Sequence, residues 1–161
     1  MQKSLEEQVV ELLFQRHFTI ATAESCTGGM IASRLVNVPG VSSLFSQGYI
    51  TYSDDAKSQM LGVSQDTLLK FTAVSPEVAR EMAEGCQRAS GADVTVSVTG
   101  YAGPNDSIEE PRGLVYIGVS VHSHTVVVEN HFEGNRSEIR ESAANRAFEL
   151  IIQQLQLMDI K

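Results

Sequence analysis

The feature that most constrains this chain is a β-rich run that passes into a helix with no linker between them. Phe18-Thr19-Ile20-Ala21-Thr22-Ala23 favours an extended strand, and Met30, Ile31, Leu35 and Val38 recur at helical spacing. Between them stand Glu24-Ser25-Cys26-Thr27-Gly28-Gly29, a junction carrying a carboxylate, two potential nucleophiles, a hydroxyl and two glycines. A strand that feeds straight into a helix must lay that helix back on a sheet, which directs the chain to the α/β class.

The remaining segments continue the alternation. Leu5, Val9, Leu12 and Leu13 predict an amphipathic helix over 4–16. Thr27 can cap the helix after the junction, and Pro39-Gly40 ends it. Leu44 to Tyr52 reads as a strand, Ser53-Asp54 caps a short helix stopped by Gly62, and 64–71 reads as another. Ser75-Pro76-Glu77 starts a helix that Gly91 ends, with Val78, Met82 and Cys86 on one face. Asp93 to Thr99 is the most regular strand and empties into Gly100-Tyr101-Ala102-Gly103-Pro104-Asn105-Asp106-Ser107. Leu114–Val121 and Thr125–Phe132 predict a hairpin around His122-Ser123-His124, followed by a helix from Arg136 to Leu157. The expectation is a single α/β domain over 1–161 with a mixed sheet.

Composition narrows the partners. Hydrophobic residues are 42% and charged residues 20%, ordinary for a globular chain. A formal net charge of -8 disfavours nucleic acid, whose phosphates call for an excess of Lys and Arg. Met1 to Glu7 has no apolar signal core and no stretch spans a bilayer, so a soluble, cytoplasmic protein is expected. Cys26 and Cys86 form no disulfide framework.

Ser25 occupies the strand-to-helix turn, where unpaired N–H groups of Thr27, Gly28 and Gly29 can face an anion or an oxyanion. The residues alone leave two readings open: a catalytic turn, or a helix cap with glycines that ease packing. The turn is not a Gly-x-Ser-x-Gly elbow, because Ala23 and Thr27 hold the flanking positions. Cys26 is a rival nucleophile, read as a packed thiol because neighbouring turn residues point in different directions. His17, His122, His124 and His131 fall in no segment suited to meet Ser25. His122 and His124 have a metal-ligand spacing but no third ligand nearby, so they read as hairpin surface residues. Lys57 is either a solvated helix lysine or a base whose pKa burial lowers, and Tyr52 either a core aromatic or a proton-relay partner. Thr99, Gly100, Ala102 and Gly103 follow a central strand and make a plausible second wall. Arg136 and Arg140, one helical turn apart, can clamp a phosphate or remain a solvated pair.

Together these segments resemble the CinA C-terminal domain family, whose characterised members are nicotinamide-nucleotide amidases of the PncC type. The likeness runs from about Glu7 to Gln153. It rests on Ala23-Glu24-Ser25-Cys26-Thr27-Gly28-Gly29, Tyr52-Ser53 to Lys57, Ala73-Val74-Ser75, Thr99-Gly100 with Ala102-Gly103-Pro104, and Phe132-x-Gly134-x-Arg136 with Arg140. The resemblance implies a three-layer α/β/α fold, a homodimer, and no metal or organic cofactor. It implies hydrolysis of the carboxamide of nicotinamide mononucleotide (NMN) to nicotinate mononucleotide and ammonia. Ser25 would be the nucleophile, Lys57 the general base and Tyr52 its hydrogen-bonding helper. Glu24, Thr27, Gly28, Gly29, Thr99, Gly100, Ala102 and Gly103 would shape the site, and Arg140 with Arg136 would hold the ribose phosphate. Many members carry an additional N-terminal domain, so the resemblance makes this the stand-alone form. The chain departs from the family pattern at Asn105-Asp106-Ser107 and Glu110-Pro111-Arg112-Gly113, where members carry a glycine pair and Lys-Pro-Val-Gly. Thr72 also replaces a usual glycine. Those departures motivate a rival reading, a pyridine-nucleotide-binding module of little or no activity with a regulatory or competence-associated role.

Overall fold

A computed structural model describes residues 2–159; Met1, Ile160 and Lys161, at the ends of the expected domain, lie outside the described residues. In chain order the elements are α1 (Leu5–Arg16), β1 (Ile20–Glu24), α2 (Met30–Val36), β2 (Phe45–Ile50), α3 (Asp54–Leu61), α4 (Gln65–Phe71), α5 (Pro76–Ser90), β3 (Val94–Gly100), β4 (Leu114–Val121), β5 (His124–His131) and α6 (Arg136–Leu157). One five-stranded sheet has the order β2-β1-β3-β4-β5. β2, β1 and β3 are parallel, whereas β4 and β5 return antiparallel, so the sheet is mixed as expected. The hairpin turn is His122-Ser123, both at positive φ, as a tight two-residue connection between twisted strands requires.

Strand alternation sorts the core into two layers. Ile20, Val94, Val96 and Val98 pack with α1, α2 and α6 through Val9, Leu13, Ile31, Leu35, Ile139 and Phe148. Each such valine contributes about 2 kcal/mol of burial. On the other face, Ala21 and Ala23 meet Leu61, Val78, Met82 and Cys86 of α3 and α5. The β3 side chains on that face are hydroxyls: Thr95 donates to Ala83 O at 2.8 Å and Ser97 to Ala79 O at 2.6 Å. These bonds spend otherwise stranded polar groups and draw α5 close to the sheet. Gly85 lets α3 approach α5, since a Cβ there would come within 1.9 Å of Leu61 O.

The same alternation sends Glu24 towards α2 and Ser25 towards α3. Glu24 is 1% exposed, and its carboxylate accepts from Thr27 Oγ1 at 2.7 Å, Gly29 N at 3.2 Å, Ile31 N at 3.0 Å and Ala32 N at 3.0 Å. The expected Thr27 cap is therefore corrected. Gly29 is the N-cap with no side-chain bond of its own, and the preceding strand supplies the acceptor for the orphan amides.

Two outcomes follow for stability. Thr72 has φ 67° and ψ 166°, a region open in practice only to glycine, while Thr72 O accepts from Ser75 Oγ at the start of α5. Thr72→Gly should raise stability by about 1 kcal/mol, strain relief outweighing the added chain entropy, read as a higher urea midpoint at unchanged slope. Glu24→Gln places an amide donor against backbone donors, so it should cost about 1–3 kcal/mol and weaken amide-exchange protection in α2 first.

Candidate active site

The three parallel strands end on one edge of the sheet, where α/β sheets place their ligands. Ser25 follows β1, and its N–H extends the ladder to Val98 O at 3.0 Å. Its hydroxyl faces α3, where Lys57 is only 1% exposed despite its charge. Lys57 Nζ lies 3.1 Å from Ser25 Oγ and 2.9 Å from Thr51 O. Thr51 is itself anchored, its N–H donating to Glu24 O at 2.8 Å. Ser53 caps α3 by accepting from Ala56 N, which fixes the turn from which Lys57 reaches inward.

Burial pushes the Lys57 amine below the ordinary lysine range, against a smaller opposing pull from Asp54. The two partners divide the work. The amine donates to both, but a carbonyl only accepts whereas a hydroxyl can also donate, so whenever the amine is neutral its lone pair can take the Ser25 O–H while an N–H stays on Thr51 O. The arrangement suits a base and a nucleophile. Cys26 does not compete: its thiol is buried, and burial pushes its pKa up to about 11, far from a thiolate at neutral pH.

The turn is more committed than its glycines suggest. Gly28 N donates to Ser25 O and Gly29 N to the Glu24 carboxylate, with both glycines at positive φ. Among the described residues, the N–H groups of Cys26 and Thr27 donate to no other residue and are the turn's least committed donors. Arg140, part-buried near the start of α6, donates from Nε to Cys26 O at 3.0 Å and from Nη2 to Thr27 O at 2.9 Å. It thereby holds the carbonyls of the turn from behind.

A cavity of about 200 Å³ opens at the Cys26 end of this turn, and its lining includes neither Ser25 nor Lys57. Cys26 and Tyr52 line it, as do Gly100 to Gly103 and the exposed Asn105, Glu110 and Arg136. Arg136 brackets the opening: Nη2 donates to the Tyr52 hydroxyl at 2.9 Å and Nη1 to Gly103 O. Tyr52 is 61% exposed and pairs with Arg136, whereas the Lys57 amine pairs with Ser25 and Thr51. Thr99 turns its hydroxyl to Ala73 O at 2.8 Å, so it braces the start of α5. Glu24 and Thr27, their side chains joined, act on the helix and present no free polar group to the cavity. Ala102 is buried, and Gly103, at φ 88°, lets the Arg112 side chain fold across it.

Tyr101, Asn105 and Glu110 enter the lining without having been named as site residues, although the departure of 105–113 from the expected pattern was a signal. Gly85 was also missed; a glycine inside a helix is costly, which is itself a mark of close packing. His122 pairs with Asp93 at 3.0 Å, and no cluster of three metal-ligating side chains occurs among the described residues. No described helix is long and apolar enough to cross a membrane.

Comparison with known proteins places the fold in a family. The family model of the CinA C-terminal domain matches residues 2–155. Relatives named competence-damage inducible protein include one from Clostridium botulinum, 48% identical over 154 residues, or 95% of this chain and 38% of the relative. Another, from Caldicellulosiruptor saccharolyticus, is 47% identical over 150 residues, or 92% of this chain and 36% of the relative. The chain thus spans little more than a third of the length of these curated relatives. The crystal structure of competence damage-inducible protein A from Klebsiella pneumoniae superposes with a TM-score of 0.92 at 31% identity, covering 94% of this chain and 95% of that one. A competence/damage inducible protein from Agrobacterium tumefaciens gives 0.90 at 36% identity, covering 97% and 98%. With the family model matched almost end to end and the sheet and helices shared with these structures, the chain belongs to the CinA C-terminal domain family.

Proposed function

We propose that the chain is a Ser/Lys amidohydrolase whose substrate is NMN, working as one amidohydrolase domain of a cytoplasmic homodimer. The observation that carries the reading is the 3.1 Å contact between Ser25 Oγ and a buried Lys57 amine whose proton affinity burial has reduced. A serine hydroxyl needs a base to become a nucleophile, and a desolvated lysine is one of the few side chains able to act so near neutrality.

Lys57 takes the Ser25 proton as Oγ bonds to the carboxamide carbon, and the carbonyl oxygen becomes an oxyanion. The uncommitted N–H groups of Cys26 and Thr27 are assigned to that charge, with Arg140 steadying the carbonyls of the same two residues. Collapse breaks the C–N bond, and Lys57 returns its proton to the departing ammonia. Water then attacks the acyl ester, giving a proton to Lys57; as the ester bond breaks Lys57 passes that proton to Ser25 Oγ, which restores both groups and releases the carboxylic acid, ionised in water. The sum is amide plus water to acid plus ammonia. Arg136, at the cavity mouth with donors to spare, is assigned to the phosphate of the nucleotide.

Ammonia release from NMN by purified protein tests the reading. Ser25→Ala and Lys57→Ala should each lower kcat by about a thousandfold or more, while Cys26→Ala keeps most of it. If Cys26→Ala alone abolishes turnover, the nucleophile is wrongly assigned. A thermal shift with NMN and no ammonia from the folded protein would favour a binding module instead.

The pH profile gives a second test. Burial disfavours the Lys57 ammonium, so the free base becomes populated below the ordinary lysine value of 10.5. Activity as kcat/KM should rise with pH, with a midpoint under that value, and level off once Lys57 is neutral. A profile that falls through that limb would remove Lys57 from the role of base.

A further inference from the structure

The cavity at the Cys26 turn carries two opposite charges that form no ion pair with each other. Arg136 donates to uncharged acceptors, Gly103 O and the Tyr52 hydroxyl. Glu110 lines the same cavity, and among the described residues its carboxylate accepts no hydrogen bond and joins no ion pair. The backbone that carries it is nevertheless held in place. Glu110 N donates to Ser107 Oγ at 3.0 Å, and Glu110 O accepts from Ser107 N at 3.2 Å. Pro111 follows, and Arg112 N is tied to Asp106 Oδ1 at 3.0 Å. Arg112, the basic side chain of this loop, folds over Gly103 and donates to Pro104 O at 3.3 Å, away from any pairing with Glu110.

A cavity that holds a cation and an anion apart is matched to a ligand with the same separation of charge. A purely anionic ligand gains Arg136 but is repelled by Glu110, and a neutral one gains from neither. We propose that Glu110 is a specificity determinant that selects amides borne on a cationic ring, such as an N-substituted pyridinium, while Arg136 takes the anionic group of the same molecule. The inference deepens the amidase reading and rests on it for the identity of the reacting amide; the charge selection itself is a property of binding.

The test therefore measures binding first. Ser25→Ala protein is titrated by calorimetry with NMN and with its reduced 1,4-dihydropyridine form, which keeps the amide, ribose and phosphate and removes the ring charge. NMN should bind about fivefold more tightly at low salt, the factor expected of one charge pair in contact near a solvated surface. In Ser25→Ala/Glu110→Gln that preference should fall to within about twofold. In the active protein, Glu110→Gln should raise KM for NMN and leave the pH midpoint of kcat/KM in place. Equal binding of the two forms, a preference that survives Glu110→Gln, or no binding of either form overturns the proposal. A charge preference without ammonia release from wild-type protein upholds Glu110 and sinks the amidase reading. Ammonia release without charge preference does the reverse. Glu110 is exposed on a loop, and an unchanged melting temperature verifies that the variant is folded.

Discussion

A single buried contact, the Lys57 amine against the Ser25 hydroxyl, makes demands on most of the surrounding fold. An amine withdrawn from water is costly unless its donors are met, so the chain supplies Thr51 O on one side and Ser25 on the other. Those two partners follow the ends of different strands, and the parallel pairing of β1 with β2 sets their spacing. The bond from Thr51 N to Glu24 O continues that pairing beyond the strand ends. Lys57 reaches them because α3 lies close on α5, an approach that depends on the missing Cβ of Gly85. The hydroxyls of Thr95, Ser97 and Thr99 in turn tie α5 and the segment before it to the middle of the sheet.

The opposite face of β1 solves a separate problem with the adjacent residue. Glu24 and Ser25 are neighbours in sequence but point into different layers, because successive strand side chains alternate. One carboxylate gathers the amides at the start of α2, and the next side chain is left to meet Lys57. Arg140 then holds two carbonyls of the turn, so the segment is restrained from the sheet, from α2 and from α6. Preorganisation of this kind lets uncommitted amides stabilise developing charge without reorganising.

The loop from Pro104 to Gly113 is where this chain departs from its family pattern. It is ordered by its own side chains: Ser107 with Glu110, Asp106 with Arg112 N, and Arg112 with Pro104 O. It leaves the Glu110 carboxylate at the cavity, in the segment that the sequence marked as a departure. The strained Thr72 stands at the other departure, close to the Thr99–Ala73 brace.

Much of this was legible before any coordinates. The apolar periods of 5–13, the β-branched run of 93–99, and the Ser-Pro and Gly boundaries marked helices and strands, because local sterics and capping act over a few residues. The order of elements indicated an α/β sheet, and the Ser25 turn stood out by its chemistry. What local signals could not specify was direction and partnership. Lys57 reads as an ordinary helix lysine until the α3–α5 packing buries it; Glu24 reads as a site carboxylate until strand alternation aims it at α2. Tyr52 finds Arg136, from a residue 84 positions away, only through the closure of the fold. The sequence by itself determined which elements form and which turn carries the reactive groups, since both depend on neighbours along the chain. Only the tertiary structure decided which groups are desolvated, which are already spent, and which remain free to act, because those properties belong to contacts between distant segments.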